Sequence, residues 1–439
     1  MEIIQSEIKK TFLTLGGLLL MCVSLWGETK SFRNDICLPE KLYMLSDTEN
    51  HVYVEAMLKR WRPYDDYVRF SGNCVYSERL PRVASIENPE DGTYMKVDLV
   101  NSDDFRILKE DSVSLCVGKK GYGSGTVTVQ ILGDSFVNGA FFKDALLANG
   151  NVPGIRMVGL RNVQGVEGQF DEGRGGWTLK KYFEIPKGEF TSYHGYMQPE
   201  GELRYWGSCA FWKNCFRVKG GELKDWNKVY DCGRYDRCME RFDGKTGYLL
   251  NPKKNDLMYD NAIGSYVVYT GKEWKKTSVD ERAWKFNYGK YLQMWNLEAP
   301  QFFGQMLGLN DFRDSLTADY ECWNRKLVEM KESYCEAVPD GKFIILIPCS
   351  TCGSLDNARG DFTLRQNAAM WRLRKNIIDT FDGREDEGYY LVDVGITIDN
   401  EKGYRMNEKG LQVGNPHPYP NYPTMGIPIA AFIQYYREH

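Results

Sequence analysis

Ser135 is the residue in this chain whose setting most invites chemistry. It ends an apolar run, TVTVQILGDS (126–135), behind Gly133 and Asp134, and an apolar-periodic stretch with Phe141, Phe142, Ala145 and Leu146 follows. A serine at such a strand-to-helix turn offers its hydroxyl at the C-terminal edge of a sheet. The first N–H groups of the helix there favour developing negative charge, and the same arrangement holds the nucleophile at the strand-to-helix elbow of known serine hydrolases. A Gly-Asp-Ser tripeptide also makes an ordinary turn with a helix cap, so the chemistry needs partners.

Three further segments supply candidates. VEGQFDEGRGGWT (166–178) places Gly173, Gly175 and Gly176 ahead of Trp177, and a glycine-rich turn lets backbone N–H groups approach a reacting centre. QFFGQMLGLNDF (301–312) is an apolar run ending in Gly308-Leu309-Asn310-Asp311, where the Asn310 amide can be aimed into a cleft. GNPHPYP (414–420) holds His417, one of only four histidines (51, 194, 417 and 439), in a loop fixed by Pro416 and Pro418. Singly, each segment also reads as a loop, a cap or a structural histidine.

In order and spacing, these four segments resemble the blocks of the SGNH (GDSL-type) hydrolase family: GDS, a glycine block, GxND and a histidine block. The EGRGGWT segment is most similar to bacterial esterases of that family, several of which act on acylated carbohydrates and carry an N-terminal β-sandwich. The resemblance implies Ser135 as nucleophile, Gly176 and Asn310 as oxyanion-hole donors and His417 as base. The family usually has an aspartate three residues before that histidine, where this chain has Gly414. The neighbouring Asn415 could orient His417, as could a backbone carbonyl or a remote carboxylate. The point matters because losing the orienting carboxylate costs about 10⁴ in turnover in the serine-protease template. The implied reaction is acyl transfer to Ser135 followed by hydrolysis, with no metal or organic cofactor. The substrate expected is a small-molecule or glycan ester, with acetyl groups on carbohydrate favoured over lipid. The competing expectation is a degenerate, non-catalytic carbohydrate-binding protein on the same scaffold.

The elements that must position these residues follow from pattern. TVTVQILG, GIRMVGL, FIILIPC and YYLVDVGI are short apolar runs of the kind buried in a parallel sheet, and residues 363–381 space Leu364, Ala368, Trp371, Ile378 and Phe381 at helical intervals. The fold class expected is therefore α/β: a three-layer α/β/α domain over 126–439. Before it, TYMKVDLV and SVSLCV alternate with period two, which predicts a small immunoglobulin-like β-sandwich over 28–118, joined by a glycine-rich flexible linker at 119–125. Residues 183–290 break the rhythm; they are rich in Tyr, Trp, Gly and Lys and read as a long insertion without obvious elements, lying over one face of the domain.

Composition bounds the rest. A net charge of −4 gives no footprint for nucleic acid or an anionic membrane. Lys9 and Lys10 before the uncharged run Thr11–Trp26 predict a signal peptide over 1–27, too short for a membrane span. The product is then exported, periplasmic or extracellular, with association to the cell surface left open, and without stable membrane insertion. Met21 before Cys22 disfavours lipidation. Twelve cysteines, with no histidine at ligand spacing, suggest disulfides or buried thiols rather than a metal site.

Overall fold

The computed structural model describes residues 34–60, 65–73, 75–76, 82–138, 143, 146–147, 150–161, 170–189, 193–219, 239–315, 317–350, 364–400, 402–408, 417–419 and 422–439. The expected signal peptide, Cys22, Gly414 and Asn415 lie outside them.

Strand β8 (Val127–Gly133) is buried along its whole length, and this is why its sequence is apolar on both faces. It sits inside a parallel sheet. Strand β17 (Phe302–Met306) pairs with it on one side, followed by β18 (Lys342–Ile347) and β19 (Tyr389–Asp393). On its other side the lower half of β8 pairs with β9 (Ile155–Met157) and its upper end with β10 (Glu172–Gly173). The α/β class with a parallel sheet is as the sequence implied.

Alternation along the strands assigns the two covering layers. Gln130 and Phe303, neighbours in register, face Tyr288 and Tyr291 of helix α3 (Tyr288–Trp295) and Tyr334 of α5 (Tyr320–Ala337). Gln130 is fully buried, and its amide is satisfied by the Tyr288 and Tyr291 hydroxyls at 2.6 and 3.1 Å. Phe302 and Tyr390 point the other way, onto Phe432 of the last helix, α7 (Tyr422–Glu438). Helix α6 (Leu364–Phe381) packs beside β19.

Residues 34–118 form two sheets over one apolar cluster. The first is four-stranded in the order β1-β7-β6-β3, with β1 (Lys41–Leu45), β3 (Asp66–Gly72), β6 (Tyr94–Asn101) and β7 (Ile107–Gly118). The second is three-stranded, β2-β5-β4, with β2 (Asn50–Tyr53), β4 (Val75–Tyr76) and β5 (Val83–Ile86). The apolar positions Met95, Val97, Leu99, Val113 and Leu115 are buried as the sequence implied, but Asp98 on the expected polar face is buried too, paired with Arg69, and Val117 is only half-buried. Helix α7 lies between the four-stranded sheet and the parallel sheet. Gly118 is required there, since a Cβ would overlap the Ala431 carbonyl.

The seam is polar as well as apolar. Arg374 Nε donates to the Cys37 carbonyl at 2.8 Å, and Trp371 Nε1 to that of Met57 at 3.1 Å. The 119–125 segment is fastened rather than loose: Gln434 Nε2 donates to the Lys119 and Tyr122 carbonyls, and Arg437 to that of Ser124.

The stretch expected to lack elements has them. Strands β12 (Arg204–Ser208), β13 (Asp256–Asp260), β14 (Ser265–Tyr269) and β15 (Trp274–Thr277) form a sheet, with β11 (Met197–Gln198) paired to β16 (Lys285–Phe286) and helix α2 (Cys209–Lys219) against it. The sequence pattern hid them because the apolar positions are filled by aromatics rather than by aliphatic runs. Trp212 stacks on Phe242 at 3.9 Å between centroids, and Trp206 meets Trp295 edge-on at 5.3 Å. Tyr193, Tyr205, Trp206, Trp212, Tyr266 and Trp284 are all buried, so these rings form a core rather than a displayed surface.

Among the described residues Cys37, Cys116, Cys209, Cys215 and Cys349 are buried thiols, and Cys322 and Cys335 are half-buried ones. Among them, too, no helix is long and apolar enough to cross a membrane, and no group of three or more His, Cys, Asp or Glu is placed to hold a metal ion.

Candidate functional site

The C-terminal end of β8 brings the sequence candidates together. Gly133 is the last residue of the strand, and a Cβ there would overlap Val137 and come within 2.6 Å of the Met306 carbonyl. Only glycine lets the chain turn this close to β17. Asp134 then caps the helix that begins at Ser135, α1 (Ser135–Asn138). Its Oδ1 accepts the Phe136 N–H at 2.9 Å, and its carbonyl accepts that of Asn138 at 2.9 Å. Asp134 is wholly buried, whereas Ser135 is half-exposed at the sheet edge.

Asn310 arrives from the neighbouring strand. β17 ends at Met306; Gly308, at φ 116°, turns the chain into the short helix α4 (Leu309–Phe312), which presents the Asn310 amide to the edge. Its Nδ2 donates to Asp134 Oδ2 and to the Trp177 carbonyl, each at 3.1 Å. The amide is thus tied to the residue before Ser135 and to the glycine turn. Both of its hydrogens have acceptors in this arrangement, so donating to a reacting oxygen requires one of them to be released.

The glycine turn is held from beneath by charges that the sequence reading passed over. Arg174 is fully buried and pairs with buried Glu172 at 2.7 Å; its other nitrogen donates to the Tyr193 carbonyl at 2.9 Å. Lys143 and Asp171, both buried, pair at 2.6 Å, and Asp171 Oδ1 accepts the Gly173 N–H at 2.8 Å. The Tyr182 hydroxyl lies 2.7 Å from the Gly133 carbonyl and 2.6 Å from that of Glu172, fixing β8 against β10. Charges of both signs within DEGR were the available signal, since charges on a glycine turn stay ordered only when paired.

These bonds consume most of the turn's donors. The N–H groups of Gly173, Arg174 and Trp177 go to Asp171, Gly133 and Arg174. Those of Gly175 and Gly176 make no hydrogen bond among the described residues, and both glycines are exposed. Gly176 has φ 74°, and a Cβ on it would meet nothing within 4 Å, so it faces open space. It is therefore one of two backbone donors left for a ligand.

His417 reaches the same edge. Its ring packs edge-on against Phe136, the residue after Ser135, at 5.5 Å, and lies 5.6 Å from Tyr419. Burial, helped by the positive charge of Arg313, lowers its pKa to about 4, so the imidazole is neutral at ordinary pH. Burial raises Asp134 to about 7, the Asp311 carboxylate adding to the shift, and raises Asp311 itself to about 6. Asp311 accepts the Leu179 N–H at 3.1 Å and ties α4 to the glycine segment. His194, by contrast, is deeply buried: it accepts the Tyr196 N–H and lies 2.9 Å from the Glu184 carbonyl, and burial lowers it to about 3, a structural histidine.

Of the sequence candidates, Ser135, Gly176, Asn310 and His417 come from four separate segments at one sheet edge. No family model matches the chain, and no curated protein matches it in sequence. Solved structures similar to part of it include a carbohydrate esterase family 3 protein from Talaromyces cellulolyticus, at 11% identity and TM-score 0.32, covering 72% of this chain and 100% of that one. A family 3 carbohydrate esterase from Clostridium thermocellum gives 10% identity and TM-score 0.30, covering 69% and 92%. A family 2 carbohydrate esterase with a carbohydrate-binding domain, from Corynascus thermopiles (Myceliophthora fergusii), gives 10% and 0.30, covering 89% and 91%. Likenesses this slight do not establish a shared fold; the chemistry has to rest on this chain's own residues.

Proposed function

We propose that this protein is an exported serine ester hydrolase of the SGNH type. One observation carries the reading: Asn310 bonds to the residue before Ser135, and His417 packs against the residue after it, at the edge where Gly176 leaves its N–H open. His417, neutral at working pH, takes the Ser135 proton as the hydroxyl attacks an ester carbonyl. The N–H groups of Ser135 and Gly176, with the Asn310 amide, stabilise the oxyanion. His417 then protonates the leaving alcohol, and water releases the acyl group by the same route. Asn415 is proposed to orient His417, in place of the carboxylate that Gly414 cannot supply.

Acetyl groups on carbohydrate are the proposed substrate class. Its support is the sequence resemblance; the aromatic rings buried in the insertion are a core and add nothing to it. Residues 34–118 are proposed as an accessory β-sandwich domain. A degenerate binding protein is the alternative, favoured by Gly414.

A fluorophosphonate probe tests the reading on wild type, Ser135→Ala and His417→Ala. Labelling of wild type with loss in Ser135→Ala is expected. A folded wild type that neither takes the label nor hydrolyses a simple acetyl ester would sink it.

A further inference from the structure

The insertion carries a feature that the proposed reaction does not use. A shallow groove of about 750 Å³ opens on its sheet, lined by Lys187, Tyr259, Ser265, Tyr266, Lys276, Thr277, Ser278 and Glu281 among others, and by no residue of the Ser135 edge. The lining is mostly hydroxyl and charged groups, which suits a hydroxylated ligand rather than an acyl chain.

The groove is pre-formed. Glu281 accepts Lys187 Nζ at 2.8 and 3.0 Å and the Tyr266 hydroxyl at 2.9 Å. Half-buried Tyr259 is held edge-on against Tyr266 at 5.3 Å, with Lys187 Nζ 5.8 Å from its ring centre. Most of the described rings of the insertion are inside, whereas this one lies along an open hollow. A fixed ring beside fixed polar groups costs little ordering entropy on binding. The charges are unequal. Glu281 and Lys187 neutralise each other, whereas Lys276, exposed on the edge strand β15, has no ion pair among the described residues.

We infer that this groove binds a saccharide chain, with an acidic sugar placed at Lys276 and a sugar ring against Tyr259. The inference extends the proposed glycan-ester reading by giving the insertion a role in holding the polymer away from Ser135.

Affinity electrophoresis of the full chain, in gels containing polygalacturonate or neutral arabinoxylan, tests it. Polygalacturonate is expected to retard the wild type despite the net charge of −4, which disfavours non-specific retention on a polyanion. Tyr259→Ala and Lys276→Gln should each weaken that retardation by about fivefold or more, the scale on which loss of an anchoring contact is felt. Hydrolysis of p-nitrophenyl acetate by both variants should stay at the wild-type level, which also establishes that they fold. Absence of retardation in both gels, or retardation unchanged in both variants, overturns the groove. Retardation by arabinoxylan alone overturns the acidic sugar. The two readings fail separately. Ser135→Ala should keep full retardation; if it also keeps full esterase activity, the catalytic reading falls while the groove stands.

Discussion

The edge around Ser135 and the insertion around Trp212 solve opposite problems with opposite residues. At the edge, small and polar residues are needed because backbones must approach closely and donors must point outward. Gly133 gives way to Met306, Gly308 takes φ 116°, and Gly176 faces open space. The insertion has no such demand. Its large rings fill volume around Trp212, Phe242 and Trp295, and Trp212 Nε1 donates to the Trp206 carbonyl at 2.6 Å. One region spends stability on geometry, and the other supplies it through buried area.

Substitutions should separate the two. Ser135→Ala is expected to have the largest effect, lowering turnover by on the order of 10⁴-fold or more, with the melting temperature nearly unchanged. Trp212→Ala should do the reverse. It removes a ring with 1% exposure and should cost about 3–5 kcal/mol of stability in denaturant titration, while the fraction still folded labels normally with the fluorophosphonate. Loss of labelling in that folded fraction would mean that the insertion shapes the Ser135 edge.

Asn310→Ala should lower turnover by about 10²–10³-fold. It also leaves Asp134 Oδ2 without its amide donor, so a modest loss of stability should accompany the kinetic one. A purely structural Asn310 would lose stability with per-molecule turnover unchanged.

The smallest effect concerns pH. The acid limb of kcat/KM should fall at about pH 4, below the 6.5 of an ordinary histidine, because burial and Arg313 both disfavour imidazolium. Arg313→Gln should move the limb upward yet leave it below 6.5, burial being the larger cause. The same shift has a stability signature. Since the folded state binds this proton less readily than the unfolded chain, acidification from about 6.5 to about 4 should destabilise wild type, and less so Arg313→Gln.

The comparison also explains what could be read in advance. Gly133, Asp134, Ser135, Gly308 and Asn310 stand out in sequence because backbone geometry restricts residue type, and that restriction is local. Met95, Val97 and Leu99 were legible because period two marks one buried face. The sheet of the insertion was not, since tyrosine and tryptophan fit core and surface alike and only burial separates them. Likewise the fastening of 119–125 by Gln434 and Arg437 joins residues more than 300 positions apart, which no local pattern carries.

By itself, then, the sequence determined the apolar parallel strands, the alternating strands before them, and the four segments proposed to carry a nucleophile, two oxyanion donors and a base. Tertiary structure alone decided that these segments share one edge, that Glu172–Arg174 and Lys143–Asp171 hold the glycine turn, and that the aromatic insertion is a core with an open groove. The physical reason is range. Backbone dihedrals and side-chain alternation are set by neighbours in the chain, whereas burial, charge pairing and the pKa of His417 depend on what the fold brings from far away.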